Sequence, residues 1–144
     1  MPSITFDADP AKQMHAHVRE GYPHEVVGIL AGTQTDGAGR VTAIAALINE
    51  RSDSAHNRYQ VSGLTLMKAE RALEAQGHTI LGYYHSHPDH PAQYSDYDRD
   101  HALPNLSYVI CAVTADGVTD TRSWRLVEDR SAMDEEPVEL GGSP

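Results

Sequence analysis

The stretch His85-Ser86-His87-Pro88-Asp89-His90-Pro91-Ala92-Gln93-Tyr94-Ser95-Asp96-Tyr97-Asp98 decides how the rest of the chain is interpreted. It follows an apolar run, residues 79–84, whose length and aromatic content predict a buried strand. Alternate residues of a strand point to the same face, so His85 and His87 would present both imidazoles on one side. The prolines of the stretch cannot donate to a sheet ladder, and they therefore end the strand.

A helix is predicted directly after this turn, because Ser95 is followed three residues later by Asp98. That spacing places Asp98 in the first turn of the helix. Two imidazoles and one carboxylate would give a divalent metal three protein ligands and an open position, as in a catalytic zinc site. Nitrogen donors favour zinc over magnesium or calcium, which prefer oxygen. The alternative from the residues alone is a histidine-rich surface loop before an ordinary capped helix.

The motif His85-x-His87-Pro88 with Ser95-x-x-Asp98 resembles the signature of the JAMM (MPN+) metallopeptidases. The order of predicted helices and strands extends this resemblance over nearly the whole chain, and the small stand-alone bacterial members that act on ubiquitin-like sulfur-carrier proteins are the most similar. The resemblance implies an α/β fold with a single mixed β-sheet flanked by helices, the cytidine-deaminase-like JAMM/MPN domain. It also implies Zn²⁺ held by His85, His87 and Asp98.

The upstream acid of the family corresponds to Glu25, at the mouth of the apolar run 25–32. From the residues alone, Glu25 would be a solvated carboxylate at a strand end. The resemblance implies instead that it accepts a proton from a zinc-activated water and passes it to the leaving amine. It further implies that the Ser95 hydroxyl stabilises the oxyanion, although an N-cap of the Asp98 helix is an alternative role for this serine.

A competing motif overlaps the same residues. His85-x-His87-x-Asp89-His90 is also the metal-binding string of the metallo-β-lactamase fold, which needs further ligands far downstream, including another histidine. Only His101 lies beyond the stretch, and it is too close to serve, while the remaining chain is too short for the second half of such a domain. Asp89 and His90 are therefore expected at the rim of the cleft.

Composition narrows the class of protein. A chain of 144 residues is expected to form one domain with a self-sufficient core. Its net charge of −10 argues against nucleic acid as a partner and suits either a basic partner surface or solubility alone. The sequence shows no membrane-spanning run and no signal peptide, and its single cysteine, Cys111, reads as a buried small residue, so we expect a cytoplasmic protein. We expect a monomer or a weak homodimer.

The first half of the chain is predicted to contain two helices and a hairpin. Asp9 is expected to cap the first helix, with Pro10 at its first position and Gly21 past its end. Ser62 is expected to cap a second helix that ends near Gln76. Between them, two apolar runs joined by the turn 37–39 predict a hairpin.

The segment 50–58 is polar and is expected to pass near the mouth of the site, where Asn49, His56 and Asn57 could touch substrate, although a solvated loop is the simpler interpretation. We expect residues 1–130 to form the metallopeptidase domain and residues 131–144 to form an acidic, flexible tail.

These patterns together predict a zinc-dependent metallo(iso)peptidase that hydrolyses the amide bond after the Gly-Gly C-terminus of a ubiquitin-like sulfur-carrier protein. Two alternatives stay open: a general zinc peptidase of small peptides, and a non-catalytic MPN interaction module. The chain's own Gly141-Gly142 raises the further idea that its tail occupies the substrate groove.

Overall fold

The computed structural model describes residues 2–47 and 62–141, which form an eight-stranded sheet and three helices. The elements in chain order are β1 (Ser3–Phe6), α1 (Ala8–Gly21), β2 (Val27–Thr35), β3 (Ala38–Leu47), α2 (Gly63–Ala75), β4 (Thr79–Pro88), α3 (Asp96–His101), β5 (Ser107–Thr114), β6 (Gly117–Leu126), β7 (Met133–Glu136) and β8 (Val138–Leu140). The strand order is β7-β6-β5-β4-β2-β3-β1-β8. Pairing is parallel for β4–β5, β1–β3 and β1–β8 and antiparallel for the other neighbours, which confirms the expected mixed α/β sheet.

The two edges of the sheet meet. β7 and β8 lie at opposite ends of the strand order, yet only Pro137 separates them along the chain. The sheet must therefore curl until its edges are adjacent, and the Pro137 carbonyl accepts a hydrogen bond from the backbone N–H of Ile4 at 3.1 Å. Helix α1 lies against the side of the sheet that carries the largest core cluster.

The expectation of a flexible tail from residue 131 onward is wrong for residues 133–140, because they form these two edge strands. Met133 is buried with the aromatic residues near α3, and the carboxylate of Glu136 accepts a hydrogen bond of 2.6 Å from the Ser123 hydroxyl. The acidic composition of the segment does not indicate the buried contacts of Met133 and Glu136. The two strands are four and three residues long, which is too short for a periodic pattern to predict them.

Helix α1 begins earlier than its sequence pattern suggested. Its N-cap is Asp7, not Asp9, so Pro10 occupies the third helical position and Gly21 is the last helical residue. A proline is tolerated there because the first N–H groups of a helix have no partner within the helix. The Asp7 carboxylate makes no capping bond and pairs instead with Arg40. The helix packs on the sheet through the buried residues Ala11, Met14 and Val18.

Helix α2 lies against β3 and β4 on the other face. Its predicted cap is confirmed, because the Ser62 hydroxyl accepts a hydrogen bond from the Thr65 N–H at 3.1 Å. Leu73 is buried in the cluster that α2 forms with β2 and β3, and Leu66 and Ala69 pack against that cluster. Gly77 follows the helix with a φ of 92°, a conformation that favours glycine.

The β2–β3 hairpin is confirmed, but its turn lies at Asp36 and Gly37, with φ values of 51° and 82°, because β3 already begins at Ala38. Positive φ at both residues matches the right-handed twist of the flanking strands. The expected substrate contacts at Asn49, His56 and Asn57 lie outside the described residues. None of the helices within residues 2–47 and 62–141 is long and apolar enough to cross a membrane.

Candidate metal centre

Strand β4 holds both histidines of the motif. It continues to Pro88, so His85 and His87 belong to the strand itself and share one of its faces. His85 pairs with Val27 of β2 on one side and with Ile110 of β5 on the other. Because β4 is enclosed by neighbours, the His85 side chain is only 3% exposed and its position is tightly fixed.

Helix α3 supplies the carboxylate. The Ser95 hydroxyl accepts a hydrogen bond from the Asp98 N–H at 3.1 Å, and Oδ2 of Asp98 accepts one from the Ser95 N–H at 2.9 Å. This reciprocal pair is a capping box, here with aspartate in place of glutamate. It turns the Asp98 carboxylate toward the histidines, with Oδ1 3.2 Å from Nε2 of His85 and Oδ2 3.4 Å from Nε2 of His87.

The three side chains have the spacing that a tetrahedral metal requires. The Nε2 atoms of His85 and His87 are 3.2 Å apart, and the ligand atoms of the group that these residues form with Asp98 all lie within 4.8 Å of one another. Zinc–nitrogen bonds of about 2.0–2.1 Å in a tetrahedron separate neighbouring ligands by about 3.3 Å. The donor set and its spacing therefore fit zinc.

A hydrogen bond fixes which nitrogen of His87 faces this centre. Its Nδ1 lies 2.9 Å from the carbonyl oxygen of Pro91. A carbonyl can only accept, so Nδ1 carries the hydrogen and the neutral ring keeps its Nε2 lone pair for a metal. No sequence pattern indicates this partner, because it is a main-chain atom in the loop after β4.

The electrostatics of the group favour an ionised carboxylate. Burial alone would raise the pKa of Asp98, but its hydrogen bonds with His85 and His87 outweigh burial and hold that pKa well below its usual range. Burial would likewise lower the pKa of His87, yet the hydrogen bonds with Asp98 and with the Pro91 carbonyl give a pKa above the ordinary value. A permanent carboxylate beside two imidazoles is the charge pattern that a divalent cation needs.

Glu25 lies beside the same group. It is 8% exposed and lies two residues before β2, where Val27 pairs with His85. The backbone N–H of Ser86 donates to the Val26 carbonyl at 3.1 Å, and continuing this antiparallel register places Glu25 opposite His87. The negative charge of Glu25 contributes to the raised pKa of His87, as proximity requires.

Ser95 is exposed, and its hydroxyl is not exhausted by capping. The oxygen accepts the Asp98 N–H, while the hydroxyl hydrogen can still be donated to another acceptor. The two roles considered for Ser95 are therefore compatible. Glu25 therefore lies beside the group of His85, His87 and Asp98, and Ser95 is the N-cap of the short helix that carries Asp98.

The other histidines and acids of the motif region have different surroundings. Asp89 and His90 are exposed, and the Asp89 carboxylate accepts hydrogen bonds from the Tyr22 hydroxyl at 2.9 and 2.8 Å. His15 and His17 of α1 contact different partners, Thr121 and Tyr84. Within residues 2–47 and 62–141, only the group of His85, His87 and Asp98 has ligand atoms close enough to hold a metal.

Comparison with known proteins agrees with this geometry. Residues 7–127 match the family described as prokaryotic homologs of the JAB domain. The desampylase of Haloferax volcanii is 29% identical over 126 residues, which cover 84% of this chain and 87% of that protein. The CysO-cysteine peptidase of Mycobacterium tuberculosis is 32% identical over 139 residues, covering 95% and 90%. A probable TtuB-protein conjugate cleaving protease of Thermus thermophilus is 36% identical over 99 residues, covering 69% and 63%.

Solved structures show the same fold. A protein from Desulfitobacterium hafniense superposes with a TM-score of 0.82 at 27% identity, covering 97% of this chain and 94% of that one. A protein from Salinibacter ruber gives 0.73 at 34% identity, covering 100% and 93%. A JAB1/MPN domain protein from Archaeoglobus fulgidus gives 0.59 at 16% identity, covering 99% and 100%, which speaks to the fold alone. The family match over most of the chain, together with a metal-binding group formed by the motif residues, shows that the chain belongs to the prokaryotic JAB-domain family, the JAMM-type peptidases of the JAB/MPN fold.

Proposed function

We propose that this protein is a zinc-dependent metallo(iso)peptidase that hydrolyses the amide bond after the Gly-Gly C-terminus of a ubiquitin-like sulfur-carrier protein. The observation that carries the proposal is the group of His85, His87 and Asp98, whose side chains approach one another to between 3.2 and 3.4 Å at their nearest ligand atoms, beside the buried Glu25. A group that only stabilised the fold would not need a buried acid next to a second buried carboxylate, because like charges repel at close range.

His85, His87 and Asp98 would hold the zinc. Zinc bound there would supply Lewis-acid chemistry, since it lowers the pKa of water toward about 7 and polarises a carbonyl oxygen. The chain's own contribution is rigidity: β4 is enclosed by β2 and β5, and Asp98 is held by the capping box at the start of α3. Such a scaffold fixes the ligands before substrate arrives.

Glu25 would act as the general base and then as the general acid. Its carboxylate accepts a proton from the attacking water and delivers it to the nitrogen of the leaving amine, so that the amine departs neutral. Its place opposite His87 in the β2–β4 register supports this role, because a base must be within hydrogen-bond reach of the proton it takes.

Ser95 would stabilise the oxyanion of the tetrahedral intermediate. Its hydroxyl is exposed and retains a hydrogen to donate while the oxygen caps α3. Because the cap fixes the serine backbone, the donor would be aimed before the charge develops, which is the requirement for effective transition-state stabilisation.

The substrate is inferred from the relatives and from the chemistry of glycine. Relatives of this chain are named as peptidases of CysO-cysteine and of TtuB conjugates. A Gly-Gly tail has no side chains, so it can enter a narrow groove in extended form and pair along a strand edge. The net charge of −10 would attract a carrier with a basic face and raise its association rate.

The test is incubation of the zinc-loaded protein with a β-grasp carrier extended after Gly-Gly by cysteine or by a short peptide, followed by mass spectrometry. We expect cleavage directly after the second glycine and loss of cleavage after chelation. Brisk hydrolysis of unrelated short peptides without cleavage of any carrier would favour a general small-peptide peptidase. Carrier binding without turnover of either substrate would favour a non-catalytic interaction module.

A further inference from the structure

The segment that carries Glu25 is fastened to the metal-binding strand at both of its ends. At the first end, the backbone N–H of Val26 donates to the hydroxyl of Ser86 at 2.9 Å, and the Ser86 N–H donates back to the Val26 carbonyl at 3.1 Å. Ser86 is fully buried between the two histidines of β4. The Ser86 hydroxyl thus accepts the hydrogen bond that a main-chain carbonyl would accept in a regular strand pair. This contact lies at the end of the β2–β4 pairing, next to Glu25.

At the second end, the Tyr22 hydroxyl donates to both carboxylate oxygens of Asp89, at 2.9 and 2.8 Å. Asp89 directly follows β4, and its own backbone N–H donates to the Val113 carbonyl at 2.7 Å. Its φ of 58° turns the chain away from the strand. Asp89 is therefore a fixed anchor for the short connection between α1 and β2.

These two contacts leave residues 23–25 as a bridge of three residues between fixed points. The same strand that presents both imidazoles also determines where the Glu25 backbone lies. Proton transfer is sensitive to such placement, because a displacement of about 1 Å can cost roughly a hundredfold in rate. Neither contact involves the three ligand side chains themselves.

We propose that Ser86 and Asp89 are positioning residues that act through Glu25, with Ser86 fixing Val26 and Asp89 fixing Tyr22. The proposal rests on the proposed function, in which Glu25 transfers the proton. It gives Asp89 of the overlapping His-x-His-x-Asp-His string a role other than metal binding.

The variants that test this are Ser86→Ala and Tyr22→Phe, each of which removes one hydroxyl. We expect kcat on a Gly-Gly-extended β-grasp carrier to fall by roughly ten- to a hundredfold for Ser86→Ala and by about three- to tenfold for Tyr22→Phe. KM and bound zinc should stay within about twofold of the wild type, because substrate contacts and metal ligands are unchanged. Asp89→Asn should restore most of the rate that Asp89→Ala loses, since an amide oxygen still accepts from Tyr22.

Tyr83→Phe is the matched control. It also removes a tyrosine hydroxyl that donates to a carboxylate, here Glu70 of α2. Because that contact does not involve the Glu25 segment, kcat should stay within about twofold of the wild type.

Two measurements separate positioning from general destabilisation. In a Glu25→Gln background, adding Ser86→Ala or Tyr22→Phe should cost less than about twofold, because the residue they act through is already disabled. Crystal structures of both variants should show the Glu25 side chain displaced from His87 relative to the wild type. An undisplaced Glu25 in both structures, or an equal fold loss in the Glu25→Gln background, would overturn the proposal.

Failure of the proposed function has a different signature. A wild-type protein that cleaves no carrier, or a Glu25→Gln variant as active as the wild type, rejects the proposed reaction. The structures of Ser86→Ala and Tyr22→Phe then still decide whether these contacts position Glu25.

Discussion

Nδ1 of His87 donates a hydrogen bond to the main-chain carbonyl of Pro91, so the loop after β4 folds back and supports the imidazole that precedes it. The loop is itself held in place, because the Trp124 indole donates to the carbonyl of Ala92 at 3.1 Å. Support of this kind sets the tautomer of a metal-binding histidine and orients its ring. Contacts from the rest of the fold therefore orient the ligand side chains, in addition to the sequence spacing that brings the ligands together.

The first prediction concerns metal content. Replacing His85, His87 or Asp98 by Ala should reduce bound zinc after dialysis from about one per chain to a small fraction, because two remaining ligands cannot hold the metal tightly. Elemental analysis of the dialysed proteins measures this.

The matched control for metal content is His90→Ala. His90 is an exposed histidine of the same stretch that does not belong to the ligand group, so this variant should keep its zinc. Full zinc retention in all three ligand variants would show that the assignment is wrong. Loss of zinc in His90→Ala would show that His90 takes part in holding the metal.

A second prediction concerns the base. Glu25→Gln preserves size and hydrogen-bonding capacity but removes the proton acceptor, so turnover should fall by at least ~10²-fold while zinc is retained. Steady-state kinetics and metal analysis of the same preparation measure both quantities. Turnover close to that of the wild type would assign the proton transfer to another residue.

A third prediction separates the two roles of Ser95, the N-cap and the oxyanion donor. Ser95→Ala removes both the cap and the hydroxyl donor, and should lower the free energy of unfolding by ~1 kcal/mol and kcat by ~10²-fold. Ser95→Gly also lacks the hydroxyl, but glycine is an acceptable N-cap and costs only a few tenths of a kcal/mol.

We therefore expect kcat to fall equally in the two Ser95 variants while their stabilities differ. Urea unfolding and steady-state kinetics provide the comparison. If kcat follows stability instead, with Ser95→Gly nearly as active as the wild type, the serine serves as a cap only.

The ligand set was predictable because its residues are close in sequence and each lies on a regular element. His85 and His87 are two apart in a strand, and Asp98 is three residues after an N-cap, so simple periodicity brings them to one place. Glu25 was different. Its residue type and position favoured a solvated acid at a strand end, and the family resemblance was needed to relate it to β4.

Other features depended on contacts that sequence periodicity does not encode. The bonds of Tyr22 with Asp89 and of Ser86 with Val26 join segments more than 50 residues apart. β7 and β8 escaped prediction because each is very short and the segment is acidic, while its stabilising contact, Glu136 with Ser123, is buried. Long-range pairing decides such short strands more than local propensity does.

A fourth prediction concerns the pH dependence of stability. It involves His17 of α1, the helix that packs against one face of the sheet. Burial lowers the pKa of His17 from its ordinary value of 6.5, with Glu20 opposing the shift, and its Nδ1 lies 2.6 Å from the Tyr84 hydroxyl. A histidine whose pKa is depressed by folding binds more protons when unfolded. The contribution of neutral His17 to the free energy of unfolding is therefore complete above about pH 6.5. It is lost as the pH falls through the lower pKa of the folded state.

His17→Gln should consequently flatten the decline in the free energy of unfolding between about pH 8 and about pH 5. Urea denaturation at several pH values measures the slope. An unchanged slope in His17→Gln would mean that other groups govern acid stability.

The last prediction contrasts two glycines with opposite surroundings. Gly28 of β2 faces Tyr84 across the antiparallel pair, and a Cβ at this position would overlap the Tyr84 ring. The ring is fully buried and its hydroxyl is bonded to His17, so it has no space to move into. Gly28→Ala should therefore destabilise the protein by about 1–3 kcal/mol through overpacking.

Gly63, the first residue of α2, has no atom within 4 Å of such a Cβ, and Gly63→Ala should stabilise by up to ~1 kcal/mol because alanine favours the helix. Thermal or urea unfolding of the two variants should give shifts of opposite sign. A neutral Gly28→Ala would mean that Tyr84 can leave its position, and that the contact with His17 contributes little to holding α1 against the sheet.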